Sequence, residues 1–175
     1  MHVVIISGAP RAGKDTFVEL CKKHTEAYGY SSVDFIKENV APLFGWHGEK
    51  TPEARKFLSD LKDASSAYND FSMRDLRETC EKLELSASKN AILFFFIREP
   101  REISRAKREF CALTLLVKRE TGEQISNHAD ADVEDFNYDV TVYNSGTLND
   151  LDSMAQEFVR QVISGELEHR LECKA

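Results

Sequence analysis

Short apolar runs alternate with amphipathic stretches along the chain, and this alternation predicts the fold. Five runs have the composition of strands, at 2–7, 31–36, 91–97, 112–117 and 138–143. The run 91–97 is apolar throughout, which is typical of a central parallel strand buried on both faces. Strands that alternate with helices predict right-handed crossovers, and hence an α/β fold of three α/β/α layers around a five-stranded parallel sheet.

The helices between these strands are predicted from helical spacing of apolar residues and from capping residues. The predicted helices lie at about 14–27, 37–44, 72–85, 100–110 and 147–165, and a further helix is predicted to begin at Thr51. Thr51 has the place of an N-cap with Pro52 at the first helical position, and Thr147 has the place of a second cap. Ser72 is predicted to cap the helix that it begins.

The segment between the first strand and the first helix carries the clearest chemical signal. It reads Gly-Ala-Pro-Arg-Ala-Gly-Lys-Asp-Thr over residues 8–16, which we call the phosphate loop. Such a loop turns backbone N–H groups around a phosphate, the helix start adds its positive dipole end, and Lys14 adds a full charge. We therefore expect ATP with Mg²⁺ as cofactors, bound by Gly8, Ala9, Pro10, Arg11, Ala12, Gly13, Lys14, Asp15 and Thr16.

Two residues at the start of the first helix are candidates for holding the metal. The Ser or Thr that usually follows the lysine is replaced by Asp15, and Thr16 comes next. A carboxylate in the first helical turn suits the helix dipole and can hold Mg²⁺ through water. The hydroxyl of Thr16 is the alternative, and the sequence leaves both open.

Polar segments follow the predicted strands at the sheet edge where α/β proteins bind ligands. Phosphoryl transfer needs cations placed on the phosphates, so the cations along this edge are candidates for chemistry. The predicted catalytic residues are Lys14, Arg98 and Arg119. The predicted acceptor-binding residues are Asp34, Lys37, Arg55, Arg98 and Arg101. The segment from Asn144 to Gly146 follows the fifth strand and belongs to the same edge.

Each of these charges also has an ordinary surface role as its alternative. Arg98 can pair with a neighbouring glutamate, and Asp34 can cap the helix that follows it. Lys37 and Arg55 lie on predicted helices, where charged side chains usually face water.

Composition limits the classes of partner. The chain has 175 residues, which corresponds to one domain, and its net charge of −7 argues against long nucleic acid or an anionic membrane. Four scattered cysteines and no membrane-length apolar run favour a cytoplasmic protein with free thiols. The expected partner is a small-molecule phosphate acceptor. The oligomeric state stays open, with a homodimer as one alternative.

The phosphate loop resembles that of bacteriophage-type deoxynucleoside monophosphate kinases, which favour Gly-Lys-Asp, and animal-type phosphomevalonate kinases share this loop. Further segments are similar to the same group, at 34–38, 96–101, 126–130, 136–139 and 144–146. The resemblance implies a P-loop kinase fold with an acceptor-binding helical region at about 37–87 and a lid at about 118–138. It also implies that Arg98 and Arg101 grip phosphates, that Arg119 belongs to the lid, and that Asn144 and Gly146 lie beside adenine.

The sequence thus favours a kinase that transfers the γ-phosphate of ATP to a (deoxy)nucleoside monophosphate. One alternative keeps the fold and changes the acceptor to another phosphorylated metabolite, such as phosphomevalonate. The other is a nucleotide-binding protein without turnover, which the acidic residues of segment 118–138 and Asp15 favour, because the lids of related kinases are often rich in arginine.

Overall fold

A five-stranded sheet organises the computed structural model, which describes residues 1–119 and 133–167. The strands are β1 His2–Ser7, β2 Ala27–Tyr30, β3 Ile92–Phe96, β4 Leu113–Lys118 and β5 Val140–Tyr143. The α-helices are α1 Lys14–Cys21, α2 Pro52–Asn69, α3 Phe71–Glu84, α4 Pro100–Glu109 and α5 Leu148–Ile163. Short helical turns lie at Ile36–Val40, Ala41–Phe44 and Val133–Asp135.

The order of the strands places the end of β1 at the centre of the ligand-binding edge. The order is β2-β3-β1-β4-β5, and β1 pairs in parallel with both β3 and β4. The chain leaves β1 toward β2 on one side, whereas it leaves β4 toward β5 on the other side. Such a reversal opens a crevice beyond the carboxyl ends of the two strands, where open α/β sheets bind ligands.

Helices cover both faces of the sheet. On one face, Phe158 of α5 packs against Phe17 of α1 at 5.6 Å between ring centroids and against Phe94 of β3 at 6.2 Å. Helix α4 packs on β1 and β4 through the buried residues Ile103 and Ala106. These two residues do not belong to the core cluster that contains Phe17, Phe94 and Phe158. The predicted three-layer α/β/α class is therefore confirmed.

The chain divides into two compact units. The first consists of Met1–Gly29 and Ala87–Ala175 and contains β1, β3, β4 and β5 with α1, α4 and α5. The second is Tyr30–Ser86, which contains α2 and α3 around a small core of Ile36, Ala41 and Leu58. Its bounds nearly coincide with those of the predicted acceptor-binding region, 37–87.

The second strand lies at 27–30, so its prediction at 31–36 is wrong. The backbone N–H of Ser31 donates to Asp34 Oδ2 at 3.0 Å, and the N–H of Asp34 donates to the carbonyl of Ser31 at 2.8 Å. These reciprocal bonds close a turn that leads into the helical segment Ile36–Val40. The apolar content of 31–36 resembles that of a strand, but the short Asp34 side chain competes for the backbone.

Two predicted helix ends also differ from the structure. Helix α1 ends at Cys21 rather than near 27, because residues 27–30 form β2. Helix α3 begins after Asp70, which adopts a left-handed φ of 59°, so Ser72 is not its cap. Ser72 is buried instead, and its Oγ lies 2.6 Å from that of Ser66. The Thr51 and Thr147 caps are confirmed.

A polar cluster joins the starts of β4 and β5. The hydroxyl of Thr114 donates to Asp139 Oδ2 at 2.7 Å and accepts from the Asp139 N–H at 3.0 Å. Lys107 of α4 donates to the other carboxylate oxygen at 2.7 Å. Thr114 is fully buried and Asp139 is 14% exposed, so these bonds lie largely away from water.

Replacing Thr114 with valine is expected to lower the free energy of unfolding by about 1–3 kcal/mol. Valine keeps the shape and burial but removes a hydroxyl whose loss leaves the Asp139 carboxylate and N–H short of a partner. Urea unfolding followed by circular dichroism measures the change. Thr141→Val on β5 is the matched control, because Thr141 is exposed. Equal stability of the two variants would contradict the structural role of this cluster.

Candidate active site

Two glycines of the phosphate loop have backbone conformations that residues with a side chain rarely adopt. Gly8 has a φ of 146° and Gly13 has a φ of 101°. A Cβ on Gly8 would lie 2.2 Å from the carbonyl oxygen of Val117, so the loop passes directly against the backbone of β4. Glycine is therefore required at this position for space as well as for conformation.

Lys14 lies folded over the beginning of the loop. Its Nζ donates to the carbonyl of Gly8 at 2.7 Å and to that of Ala9 at 2.8 Å, and the side chain is only 7% exposed. The N–H of Phe17 donates to the carbonyl of Gly13 at 2.8 Å, which closes the first turn of α1. The loop, the ammonium group and the amino end of α1 thus converge, as an anion site requires.

The segment after β5 holds the other end of the loop. The side-chain amide of Asn144 donates to the carbonyl of Ala12 at 2.9 Å, and its backbone N–H donates to the carbonyl of Lys118 at 2.8 Å. Gly146 is needed for space instead, because a Cβ there would lie 2.6 Å from Asp150 Oδ2. That carboxylate belongs to the capping box of α5 with Thr147.

The two candidate metal residues lie on the first turn of α1. Asp15 and Thr16 are both exposed there, directly after Lys14. Within residues 1–119 and 133–167, no cluster of three or more His, Cys, Asp or Glu side chains could hold a metal ion by itself. Mg²⁺ usually keeps several waters and binds through one or two protein groups and substrate phosphates. Asp15 and Thr16 fit an ion of that kind.

The end of β3 carries the two candidate phosphate arginines. The N–H of Ile97 donates to the carbonyl of Ile6 at 3.3 Å, which extends the pairing with β1 by one residue. Arg98 follows directly and is exposed, and Arg101 is exposed in the first turn of α4. Because β3 and β1 are parallel neighbours, both arginines lie at the same edge as the phosphate loop.

Arg119 directly follows β4, on the other side of β1. It is exposed, and the preceding Lys118 forms an ion pair with Glu134 at 2.7 Å. The predicted lid at 118–138 includes residues 120–132, which lie outside the described residues. The lid itself and the catalytic role of Arg119 stay predictions.

The remaining predicted acceptor residues belong to the unit Tyr30–Ser86. Lys37 forms an ion pair with Asp34 at 2.9 Å, and Arg55 is exposed on α2. Asp34 closes the turn described above by accepting from the N–H of Ser31, and no side chain caps the helical segment Ile36–Val40, so the alternative in which Asp34 caps that helix is wrong. A role of these three residues in binding an acceptor stays a prediction.

The same unit contains a buried acid that the sequence analysis did not single out. Asp75 on α3 is nearly buried, and Tyr30 Oη donates to its Oδ2 at 2.8 Å. Burial raises the pKa of Asp75 and raises the pKa of Tyr30 to about 12. A signal was available in the sequence, because Asp75 lies beside Met73 and Leu76 on the apolar side of a predicted helix.

Comparison with known proteins supports the fold. No protein-family model matches the sequence, and no curated protein matches it closely. Among solved structures, the chain resembles a protein called APE1195, with a TM-score of 0.53 and 17% identity over 93% of this chain and 96% of that one. This likeness supports the three-layer α/β/α fold, in which the phosphate loop follows β1.

Two of the similar structures carry enzyme names. Dephospho-CoA kinase from Campylobacter jejuni has a TM-score of 0.53 and 14% identity, over 94% of this chain and 98% of that one. Shikimate kinase from Aquifex aeolicus has a TM-score of 0.51 and 10% identity, over 94% and 97%. At such identities the likeness shows the fold. Among the described residues, moreover, no helix is long and apolar enough to cross a membrane.

Proposed function

We propose that this protein is a phosphotransferase that moves the γ-phosphate of ATP to a small molecule. The observation that carries the proposal is the phosphate loop itself, in which Lys14 Nζ lies on the carbonyls of Gly8 and Ala9 at the amino end of α1. The fold gives independent support, because two of the similar structures are named as kinases of small molecules.

In this proposal the residues of the chain bind, orient and neutralise the phosphates. The loop N–H groups and the dipole of α1 hold the β- and γ-phosphates, and Lys14 offsets the charge that develops during transfer. Asp15 and Thr16 would hold Mg²⁺, which supplies further charge neutralisation on the phosphate oxygens. Arg98 and Arg101, at the end of the adjacent strand, bind the transferring phosphate or that of the acceptor.

We propose a (deoxy)nucleoside monophosphate as the acceptor. The Gly-Lys-Asp order at residues 13–15 supports this choice, because it resembles the loop of kinases with that acceptor. The Tyr30–Ser86 unit supplies the Asp34–Lys37 pair and Arg55 as candidate contacts. The same loop also occurs in phosphomevalonate kinases of the animal type, so phosphomevalonate is the second candidate.

A coupled ADP-release assay across a panel of acceptors tests the proposal. The panel contains the common ribo- and deoxyribonucleoside monophosphates, phosphomevalonate, dephospho-CoA and shikimate. We expect ADP release that depends on a nucleoside monophosphate and exceeds the rate without acceptor. Release with phosphomevalonate alone would change the acceptor and keep the class. Tight ATP binding without acceptor-dependent release would identify a nucleotide-binding protein without turnover.

Replacing Arg98 with alanine is expected to lower kcat/KM by about 10- to 100-fold. A hydrogen bond between a guanidinium group and a phosphate contributes about 1.5–3 kcal/mol, and each 1.36 kcal/mol is tenfold in rate. Steady-state kinetics measures the loss with the best acceptor. Arg108→Ala is the matched control, since Arg108 is exposed near the other end of α4. Similar rates for both variants would show that Arg98 does not contact the phosphates.

A further inference from the structure

Asn144 makes contacts that a base-binding residue would not need. Its side-chain amide donates to the carbonyl of Ala12, and a Cβ on Gly13 would lie only 2.4 Å from the same Nδ2. The amide thus lies tightly against the peptide that joins Ala12 to Gly13. The Asn144 backbone is fixed in turn by its N–H bond to the carbonyl of Lys118, at the end of β4.

The planar geometry of the Ala12–Gly13 peptide links this contact to the direction of the Gly13 N–H. In a planar trans peptide, the carbonyl of one residue and the N–H of the next point in opposite directions. When Asn144 holds the Ala12 carbonyl toward β5, the Gly13 N–H must point away from it. Gly13 has no Cβ and a φ of 101°, so little else in the residue resists rotation of this peptide.

We propose that Asn144 is a positioning residue that fixes the Ala12–Gly13 peptide so that the Gly13 N–H faces the bound phosphate. The proposal rests on the proposed function for the location of the phosphate. It assigns Asn144 to the loop rather than to the adenine base, the role implied by the family resemblance. The two roles differ in which part of ATP should lose affinity when the side chain is removed.

Calorimetric titration with two probes separates these roles. ATP–Mg²⁺ carries a base and phosphates, whereas inorganic tripolyphosphate–Mg²⁺ carries phosphates alone. For Asn144→Ala, we expect the dissociation constants of both probes to rise by the same factor, roughly 3- to 10-fold, the usual effect of losing one neutral hydrogen bond. Asn144→Asp, which is nearly isosteric and removes the donor, should weaken both probes at least as strongly. Asn149→Ala, an exposed change on α5, should leave both constants unchanged.

The Gly13 amide gives a second measurement that does not depend on affinity. In ¹⁵N-labelled wild-type protein we expect one sharp Gly13 resonance that shifts when tripolyphosphate is added. In Asn144→Ala the same resonance should broaden or double before any ligand is added, because the peptide samples two orientations. A merely destabilising substitution would lower the melting temperature and leave the native Gly13 resonance sharp.

Several outcomes would overturn the proposal. A loss of affinity for ATP with tripolyphosphate unaffected would assign Asn144 to the base, and no loss for either probe would remove it from the site. A Gly13 resonance that stays sharp in both variants would exclude the peptide-fixing role. Failure of the kinase proposal looks different, because the wild-type protein would then bind tripolyphosphate and ATP without transferring a phosphate to any acceptor.

Discussion

Replacing Lys14 with alanine is expected to lower kcat by about 100- to 1,000-fold, the usual effect of removing a group that stabilises charge in the transition state. The ammonium group lies over the first residues of the loop, on the carbonyls of Gly8 and Ala9, where the phosphates of ATP would arrive. Steady-state ADP release with the best acceptor measures the effect. We expect KM for ATP to change much less than kcat, because the loop N–H groups and the α1 dipole still bind the ground state.

A matched lysine distinguishes this effect from a general change in charge. Lys22 lies just past the other end of α1, is exposed and pairs with Glu19 at 2.6 Å. Lys22→Ala therefore removes one positive charge near the same helix without touching the loop, and its kcat should equal that of the wild type. A Lys14→Ala protein that is folded by circular dichroism and turns over at the wild-type rate would exclude this loop as the active site.

The position of the phosphate loop was predictable because its signal is local. Glycines, the lysine and the adjoining strand and helix all lie within the first 21 residues, so spacing along the chain determines the geometry. The position of Arg98 after β3 was likewise predictable, since a parallel strand places the polar residue that follows it at the same edge of the sheet. The α/β class was predictable from the alternation of apolar runs with amphipathic stretches. This pattern depends on which positions are buried rather than on any particular contact.

The features that the sequence did not predict have two causes. Side chains compete for the hydrogen bonds of the backbone, and residues far apart in the chain come into contact. Residues 31–36 have the composition of a strand, but the hydrogen bonds between Ser31 and Asp34 compete successfully for the backbone. The contact of Asn144 with Ala12 joins residues 132 positions apart, and periodicity carries no information about it. The hydrogen bond from Tyr30 to the buried Asp75 was missed for the same reason, because helical spacing shows a polar residue on an apolar face without showing its partner.

Replacing Gly8 with alanine is expected to lower the free energy of unfolding by about 2–5 kcal/mol and to abolish measurable ATP binding. The new Cβ would lie 2.2 Å from the carbonyl oxygen of Val117, which is backbone within the sheet and cannot rotate away. Overpacking of this kind costs about 1–3 kcal/mol, and a φ of 146° adds roughly 1–2 kcal/mol for a residue with a side chain. Urea unfolding and calorimetric titration with ATP–Mg²⁺ measure the two effects.

Gly48→Ala separates the clash from the backbone strain. Gly48 has a comparable φ of 107°, but a Cβ there would meet nothing within 4 Å. This control therefore carries the conformational penalty alone, about 1–2 kcal/mol, and should leave ATP affinity unchanged. The difference between the two variants measures how closely the loop lies against β4. If Gly8→Ala destabilised no more than Gly48→Ala and still bound ATP, the loop would have space at Gly8, and its close contact with Val117 would not hold the phosphate site in place.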